Sequence, residues 1–405
     1  MKQRTILRGA VFASMGLVTG LLYGCDRTAP EDALLSEKEL REVRKLSHLP
    51  PTPPSPTNAV ADLPAAAHLG QLLFFDERLS ATGKISCATC HDPALGFSDG
   101  KPLAEGLNTV PRHTQSLWNV AHQRWFFWDG RADSLWAQSV QPLLSPDEMG
   151  ATPEQVRKIV DGDLTLKTAY REVFGTLPET GSSLDRFLTN LGKSFEAYQR
   201  KLISTDSRFD RFVAQINKGL PQAEAGLSEA ERRGLKIFVG RGQCILCHSG
   251  PNLTDSEFHN IGLPKHPDLR KDSGRFEGVR LVKKDRFNGT GEFSDDRSEE
   301  TNIKLRYLVV KMNNMAEFKT PSLRDVAKTA PYMHDGRFAT LGEVIDHYSD
   351  LNTDPPLGHR EETLVALDLS NREKDDLEAF LQTLTGQPLN PALMRAPNSE
   401  RLSAR

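Results

Sequence analysis

Apolar positions along this chain recur mostly at intervals of three and four residues, the spacing that places them on one face of an α-helix. The spacing predicts helices over residues 65–75, 152–174, 184–202, 341–348 and 371–384. No stretch of any length alternates apolar and polar residues, as a half-buried strand would. The pattern therefore predicts a mainly α-helical fold.

The segments between these helices carry weaker signals. Residues 31–46 contain helix-forming residues with few apolar positions, which predicts a short, solvent-facing helix. Residues 49–56 are rich in proline and favour an extended spacer or strap. Ser228 followed by Glu231 has the spacing of a capping box, so a helix should begin there and run towards Cys244. Residues 265–305 are polar, charged and dotted with glycine, which predicts a long loop with little regular structure.

Length and charge narrow the class of protein. A chain of 405 residues can hold two domains, and we expect them at residues 61–215 and 216–390, with a loosely held tail at 391–405. The net charge of −3 provides no basic field for nucleic acid. With 25 prolines and 30 glycines, the chain should contain long ordered loops rather than a large sheet.

The sequence C-x-x-C-H occurs twice, as Cys87-Ala88-Thr89-Cys90-His91 and as Cys244-Ile245-Leu246-Cys247-His248. This pattern is the attachment signature of c-type haem. Two cysteines three apart lie one helical turn from each other, so both thiols can bond the vinyl groups of one porphyrin, and the adjacent histidine can reach the iron. A zinc site or a redox pair is the alternative, but a zinc site would use both pairs together without a fixed histidine after each. The doubled motif predicts two covalently bound haem c groups, one in each half of the chain.

The fifth cysteine, Cys25, follows an export-type leader. A positive start with Lys2, Arg4 and Arg8 precedes an apolar run over residues 11–22, which is too short to span a membrane. Leu22-Tyr23-Gly24-Cys25 resembles a bacterial lipobox, so residues 1–24 are predicted to be a lipoprotein-type signal peptide and residues 25–60 a proline-rich tether. An ordinary signal peptide with an incidental cysteine is the alternative. Because c-type haem is attached outside the cytoplasm, we expect a periplasmic protein, held at the inner membrane by a lipid on Cys25.

Several phrases, in order along the chain, resemble the bacterial di-haem cytochrome c peroxidase and MauG family, and in particular its MauG-like branch, to which relatives that accompany copper-chelator gene clusters belong. They include both C-x-x-C-H motifs and the stretches Leu73-Phe74-Phe75-Asp76, Phe127-Trp128-Asp129-Gly130-Arg131-Ala132, Thr320-Pro321-Ser322-Leu323-Arg324-Asp325 and Ala330-Pro331-Tyr332-Met333-His334-Asp335-Gly336. The resemblance implies two cytochrome c-like domains with long loops. In that family the first haem meets hydrogen peroxide and the second handles electron transfer.

The resemblance also implies catalytic residues. It points to Glu148 as the acid–base group that moves a proton between the peroxide oxygens, with Gln138 beside it as a hydrogen-bond partner. A carboxylate against a haem face would be partly desolvated, which raises its pKa. Trp128 matches the family tryptophan between the haems and is predicted to relay electrons or holes. The alternatives are a helix N-terminal acid at Glu148 and a hydrophobic haem wall at Trp128.

Two departures from the family pattern concern the first haem. Family peroxidases carry a histidine in the loop after the first motif that blocks the iron until the second haem is reduced, but residues 92–111 contain none. We therefore expect a first haem that is open without reductive activation. His113 stands where the family usually has the asparagine it offers to calcium, whereas Thr329 and Pro331 match the other calcium positions. One calcium ion is a further prediction.

The family spacing from His334 places Tyr348 where MauG has a tyrosine ligand to the second haem. A phenolate is hard and anionic and favours high-valent over ferrous iron. His347 is the adjacent rival, Met312, Met315 and Met333 are more remote ones, and a core aromatic is the alternative role for Tyr348. Arg112, Arg131 and Arg324 are candidates for contacts to haem propionates, since guanidinium pairs well with carboxylates. Ordinary salt bridges are the alternative for them.

The resemblance thus predicts an enzyme that uses hydrogen peroxide at the haem of His91 and shares two oxidising equivalents with the haem of His248. These would oxidise an aromatic residue, a tryptophan, of a partner protein. The first alternative is a detoxifying peroxidase that takes electrons from a small cytochrome or cupredoxin. The second is an electron carrier without enzymatic activity.

Overall fold

A computed structural model of the chain describes residues 33–178, 183–387 and 389–397. The predicted signal peptide, residues 1–24, and Cys25 lie outside the described residues. Within the described ranges, no helix combines the length and the apolar character needed to cross a bilayer.

The helices before residue 200 include all the predicted ones, one of them divided, and also a helix over Leu135–Leu144, which the sequence analysis did not predict. They are α1 (Glu37–Lys45), α2 (Pro64–Phe74), α3 (Cys87–Cys90), α4 (Leu135–Leu144), α5 (Pro153–Gly162), α6 (Leu164–Phe174) and α7 (Ser183–Gln199). The single helix predicted over residues 152–174 is divided, because Asp163 is extended and its side chain accepts hydrogen bonds from the backbone N–H groups of Thr165 and Leu166. This N-cap starts α6 anew.

The remaining elements are again mostly helical. They are α8 (Arg208–Asn217), α9 (Glu229–Val239), α10 (Arg275–Lys284), α11 (Ile303–Arg306), α12 (Leu341–Asp350), α13 (Asn371–Gln382) and the two antiparallel strands β1 (Phe258–His259) and β2 (Phe318–Lys319). Ser228 and Glu231 form the predicted capping box at α9. The mainly α-helical prediction is confirmed. The expectation of a loop throughout residues 265–305 is wrong, because α10 buries Val279 and Val282 and α11 buries Leu305.

Each half of the molecule is built on a close helix crossing that requires glycine. A Cβ atom added to Gly70 of α2 would lie 1.9 Å from the carbonyl oxygen of Ser194 in α7. A Cβ atom added to Gly234 of α9 would lie 1.9 Å from the carbonyl oxygen of Asp376 in α13. Both distances are far below van der Waals contact, so these two crossings bring backbone against backbone.

Two main clusters of buried apolar side chains surround these crossings, and the chain passes between them. The first cluster draws on α2 and α4 to α7, and it also takes in Phe287 and Phe293 from the second half of the sequence. The second cluster draws on α1, α8, α9, α12 and α13. The predicted boundary at 215/216 falls inside α8, whose side chains Phe209, Phe212 and Val213 all belong to the second cluster. Packing therefore places the division before α8.

The segments expected to be loose are packed against the protein. Leu40 and Val43 of α1 are buried in the second cluster, so the prediction of a solvent-facing helix is wrong. The proline-rich stretch acts as a strap rather than a free tether, since the carbonyl of Pro53 accepts a hydrogen bond from buried Arg200.

The described part of the tail is also held. The side chain of Gln71 donates to the carbonyls of Ala392 and Arg395, and the hydroxyl of Tyr198 donates to Leu393. Leu393 packs against the first cluster. The expected looseness of the tail is therefore wrong for residues 391–395.

A buried ion pair ties α8 to the wall of the second half. Arg324 Nη1 and Nη2 donate to the two carboxylate oxygens of Asp210 at 2.9 and 3.1 Å. Ser47 and Ser207 donate to the same carboxylate. Burial acts to raise the pKa of Asp210, but the hydrogen bonds and charge of Arg324 outweigh it and lower that pKa to about 2.

We predict that Asp210→Asn lowers the free energy of unfolding of the haem-loaded protein by about 3 kcal/mol at neutral pH, because Arg324 is left buried without its anion. Urea unfolding followed by circular dichroism measures this. Since the folded-state pKa of Asp210 is depressed, its contribution is present above about pH 4 and is lost as the pH falls towards 2. The difference in the free energy of unfolding between wild type and variant should therefore vanish as the pH falls towards 2. Glu299→Gln, which removes an exposed partner of Arg306, is the control and should change stability by less than about 1 kcal/mol.

Candidate active site

Each C-x-x-C-H motif lies in a cavity of its own. The first cavity is lined by Cys87, Cys90 and His91, and the second by Cys244, Cys247 and His248. Neither motif reaches the other's cavity. A single zinc site built from both cysteine pairs is therefore excluded.

The first motif forms the short helix α3, which follows Ser86. The side chains of Ser86 and Thr89 cap its start, and the N–H of His91 donates to the carbonyl of Cys87 at 2.8 Å. The imidazole Nδ1 of His91 lies 3.0 Å from the carbonyl oxygen of Phe97. That bond fixes the ring and leaves Nε2 for a metal.

The second motif repeats this arrangement on a 3₁₀ turn, Cys244–Leu246. The N–H of His248 donates to the carbonyl of Cys244 at 2.9 Å, and His248 Nδ1 lies 3.1 Å from the carbonyl oxygen of Leu253. In both halves a backbone carbonyl just beyond the motif orients the histidine. The two sites are thus built alike although the intervening sequences differ.

The chemistry of the sulfur atoms fits covalent haem. Burial raises the pKa of the Cys87 and Cys244 thiols to about 12, so the surroundings disfavour a thiolate. A thioether sulfur carries no charge, so its burial does not incur the cost of desolvating a charge. Together with a histidine whose Nδ1 is held by a backbone carbonyl, each cavity fits one haem c.

The predicted acid–base pair lies in the first cavity. Glu148 and Gln138 both line it, together with His91. Burial raises the pKa of Glu148, and the charge of Arg131 only partly opposes this. The carboxyl group therefore has the partly desolvated environment that was expected of it.

Gly106 brings the loop after the first motif against the turn that carries Glu148. A Cβ atom at Gly106 would lie 2.5 Å from the carbonyl oxygen of Asp147, and the N–H of Leu107 donates to the carbonyl of Glu148. This contact fixes the backbone of Glu148 at the cavity.

No histidine of residues 92–111 is available to enter the first cavity, because that loop contains none. The nearest one, His113, is buried, and its Nδ1 is bonded to the carbonyl of Lys101 at 2.8 Å. His266 lies on the rim of the first cavity, where its Nδ1 accepts from the N–H of Asp268.

The two cavities share a wall, which we define by the residues that line both of them. The members of the shared wall are His113, Gln115, Ser116, Gln123, Trp128, Ile261, Phe318 and His334. The structure thus places Trp128 between the two predicted haem sites. Its indole N–H donates to the carbonyl of His113 at 2.9 Å, and its own carbonyl accepts from the N–H of Lys319 at 2.8 Å.

Sequence reasoning named His113 and His334 in other connections and missed the other members of this wall. Phe318 and His334 are stacked with ring centroids 3.6 Å apart, and burial lowers the pKa of His334 to about 4, so its ring is neutral. Lys319 Nζ donates to Gln123 Oε1 at 2.6 Å. These residues come from segments about 200 positions apart in sequence, and the only signal was their proximity to the phrases around Trp128 and His334.

Of the other tryptophans, one borders a cavity. Trp118 lines the second cavity, and its buried N–H has no partner among the described residues. Trp125 lies in a small cluster with Val282 and Leu305. Trp136 lies in the first cluster, and its indole N–H donates to the hydroxyl of Thr57. Trp118 and Trp128 are therefore the two tryptophans that border a cavity.

The second cavity contains the predicted ligand Tyr348. Tyr348 lines it with His248, and burial raises the pKa of the phenol. The adjacent His347 does not line the cavity, since its Nε2 bonds the carbonyl of Ile261 at 3.0 Å. Met333 does line it, whereas Met312 and Met315 do not. Tyr348 as an iron ligand stays a prediction, with Met333 as the remaining rival.

The three arginines proposed for propionates have protein partners. Arg112 bridges Asp129 and Asp272 at 2.6 and 2.8 Å, and Arg131 lies 3.4 Å over the Phe127 ring while pairing with Asp129. Both line the first cavity. Arg324 borders the second cavity, but its guanidinium is bonded to Asp210 and to the carbonyl of Pro251. Propionate contacts by these residues stay predictions.

Metal sites other than haem find little support. Thr329 and Pro331 line the second cavity, whose described lining contains no carboxylate, and the calcium ion stays a prediction. Among the described residues, one group of potential ligands stands close enough for a metal ion: Cys247, Asp255 and His259. The sulfur of Cys247 would be bonded covalently to haem and would therefore not be available to that ion.

Comparison with known proteins agrees with this geometry. A family model described as di-haem cytochrome c peroxidase matches residues 64–218. The methylamine utilization protein MauG of Methylorubrum extorquens is 35% identical over 336 residues, 82% of each chain. The cytochrome c551 peroxidase of Nitrosomonas europaea is 30% identical over 331 residues, 79% of this chain and 80% of that one.

Solved structures give the same picture. A structure described as a MauG-like protein associated with microbial copper homeostasis superposes with a TM-score of 0.66 at 28% identity, covering 86% of this chain and 98% of that chain. The matches include both MauG proteins and cytochrome c peroxidases. The chain therefore belongs to the di-haem cytochrome c peroxidase and MauG family, and it is an oxidoreductase of the peroxidase class that carries two c-type haems.

Proposed function

We propose that this protein uses hydrogen peroxide at the first cavity to oxidise an aromatic residue, a tryptophan, of a partner protein at the far side of the two-haem unit. Peroxide takes up two electrons and two protons and yields two waters, and the partner supplies both electrons. When bound, the two haems would supply the iron that accepts and stores these oxidising equivalents. The observation that carries the proposal is the presence of Tyr348 in the second cavity with His248, while His347 is turned away.

The chain's own groups suit the peroxide step at the first cavity. Glu148 has a raised pKa and can take a proton from one peroxide oxygen and return it to the other. Gln138 lines the same cavity and can hold the orientation of the bound peroxide by a hydrogen bond. The absence of histidine from residues 92–111 supports access of peroxide without prior reduction.

Trp128 suits the sharing of charge between the cavities. It borders both, and its position is fixed by the bonds to His113 and Lys319. Because the indole N–H already donates to a carbonyl, oxidation of the ring does not require the ring to move.

Tyr348 would favour a second site that retains oxidising equivalents over one that is easily reduced. A phenolate stabilises the higher charge on iron and disfavours the ferrous state. That preference suits an enzyme that removes electrons from a partner. It suits poorly an enzyme that accepts electrons from a reduced carrier.

A detoxifying peroxidase that takes electrons from a small cytochrome or cupredoxin is the second candidate. Met333, which lines the second cavity, is the specific observation that favours it. A thioether ligand raises the reduction potential of a haem and so favours uptake of electrons.

The same proposal includes a place in the cell. Because covalent haem attachment occurs outside the cytoplasm, the protein would work in the periplasm. The lipobox-like sequence before Cys25 supports a lipid anchor in the inner membrane.

Glu148→Gln is predicted to leave both haems bound and to slow the reaction with peroxide by about 100-fold or more, because the amide cannot carry the proton. Stopped-flow absorbance of the diferric protein measures this. In the wild type the rate should fall as the pH drops through the raised pKa of Glu148, since only the ionised carboxylate accepts a proton. The rate of the variant should not show this fall at low pH. An unchanged rate would remove Glu148 from the role, and Glu154→Gln, at an exposed residue of α5, is the matched control.

Trp128→Phe is predicted to preserve fold and haem content while slowing transfer of oxidising equivalents to the second site. Phenylalanine fills the space but is much harder to oxidise. Rapid-freeze electron paramagnetic resonance after peroxide addition follows each haem separately. Trp136→Phe, a substitution in the first core away from both cavities, should transfer at the wild-type rate. If the second haem of Trp128→Phe still oxidises at full rate, the relay assignment is wrong.

One equivalent of peroxide, added to the diferric protein without reductant, is predicted to give a long-lived oxidised species with a near-infrared absorption band. Tyr348→Met should shorten its lifetime, because the stabilising phenolate is lost. Optical spectra extended into the near infrared decide this. No reaction until one haem is pre-reduced would favour the detoxifying peroxidase instead.

A further inference from the structure

One buried cation beside the second cavity has no anion. Lys319 of β2 is 2% exposed, lines the second cavity and donates through Nζ to Gln123 Oε1. No carboxylate among the described residues pairs with it. An unpaired ammonium in such a place is costly, because burial removes its hydration and nothing replaces the lost charge interaction.

The other cations on this cavity are already satisfied. Arg324 is held by both oxygens of Asp210, and His259 lies between the carboxylates of Asp255 and Glu361 at 2.9 Å from each. The described lining of the second cavity contains no aspartate or glutamate at all. A group that fills the cavity and carries an anion would supply the partner that Lys319 lacks among the described residues.

We propose that Lys319 pairs with a propionate of the haem attached at Cys244 and Cys247, in place of the contact predicted for Arg324. Haem carries two propionate carboxylates, the only free carboxylates that this cavity would then contain. The Lys319 ammonium holds one of them against the shared wall, and Gln123 orients the ammonium from the side of the first cavity.

The position of Lys319 gives this pairing a consequence for electron transfer. The N–H of Lys319 is bonded to the carbonyl of Trp128, so the residue that fixes the tryptophan also carries the charge. A fixed positive charge next to the second haem stabilises its reduced form relative to its oxidised form. Lys319 is thus a positioning residue that sets the reduction potential of the second haem.

The protonation state of Lys319 distinguishes a paired from an isolated amine. Burial alone lowers the pKa of Lys319 to about 7, so an isolated amine would lose its charge between pH 6 and 8. A neighbouring propionate opposes this effect and keeps the ammonium charged over that range.

The test is a potentiometric titration of both haems in the intact two-haem protein, without peroxide or partner. Lys319→Met should lower the equilibrium constant for one-electron reduction of the second haem about tenfold, equal to about 59 mV. The first haem should shift by less than a third of that amount. Lys319→Arg keeps the charge and should restore most of the loss. Lys304→Met is the matched control, since it removes a buried amine that borders neither cavity, and it should leave both potentials unchanged.

Repetition at pH 6, 7 and 8 tests the pairing itself. His113, His259 and His334 also face this cavity, and their contributions cancel in the difference between wild type and Lys319→Met. That difference should stay constant if a propionate holds the proton on Lys319. A difference that fades as the pH rises through 7 would show an isolated amine and overturn the proposal.

Two further results would also overturn it: an unchanged potential of the second haem, and a shift as large at the first haem as at the second. If Lys319→Met fails to load haem, Lys319→Gln serves in its place, because its amide can still bond Gln123. The readout depends on haem at His248 and is independent of peroxide reactivity and of any partner. Failure of this inference is therefore distinguishable from failure of the proposed function.

Discussion

A histidine that serves as an iron ligand needs one ring nitrogen held by the protein so that the other can bind the metal, and this chain holds a histidine Nδ1 in that way twice. The carbonyls of Phe97 and Leu253 hold His91 and His248, and each lies a few residues beyond its motif. A cavity must then enclose the free side of each ring. The helix crossings at Gly70 and Gly234, which bring backbone against backbone, frame the halves in which these cavities lie.

The shared wall is the part of the structure that borders both predicted haem sites. Apart from Ile261, its members come from residues 113–128 and 318–334, and these stretches are joined by backbone hydrogen bonds from Lys319 of β2 to the carbonyl of Trp128 and from His113 to the carbonyl of His334. Trp128, the stacked pair of Phe318 and His334, and the Lys319–Gln123 hydrogen bond all lie there. The charge and rigidity of this wall bear on both haems at once, which is why one residue can matter to two sites.

Family membership settles the class of chemistry, and the choice within the family depends on the second cavity. Both proposed functions make the same demands on the first cavity: a histidine that can bind iron, a desolvated carboxyl and access for peroxide. The two proposals differ in the role of the second iron, which would either retain oxidising equivalents or accept electrons. In this chain Tyr348 and Met333 both border that cavity, and the two proposed functions assign the iron to one or the other.

Local sequence determined the features that local chemistry governs. The C-x-x-C-H spacing fixed both haem sites, the apolar periodicity gave most helices, and Ser228 with Glu231 gave the start of α9. Glu148 and Trp128 could be named only through resemblance to relatives. Nothing in the sequence next to Glu148 marks it as an acid–base group, and nothing distinguishes Trp128 from the three other tryptophans nearby.

Tertiary structure decided the remaining features. It packed α1 and residues 391–395 against the cores, it turned His347 away from the second cavity, and it isolated Lys319 without an anion. Those outcomes depend on which distant segments meet, and pairing across about 200 residues is set by the packing of the whole chain rather than by any window of its sequence.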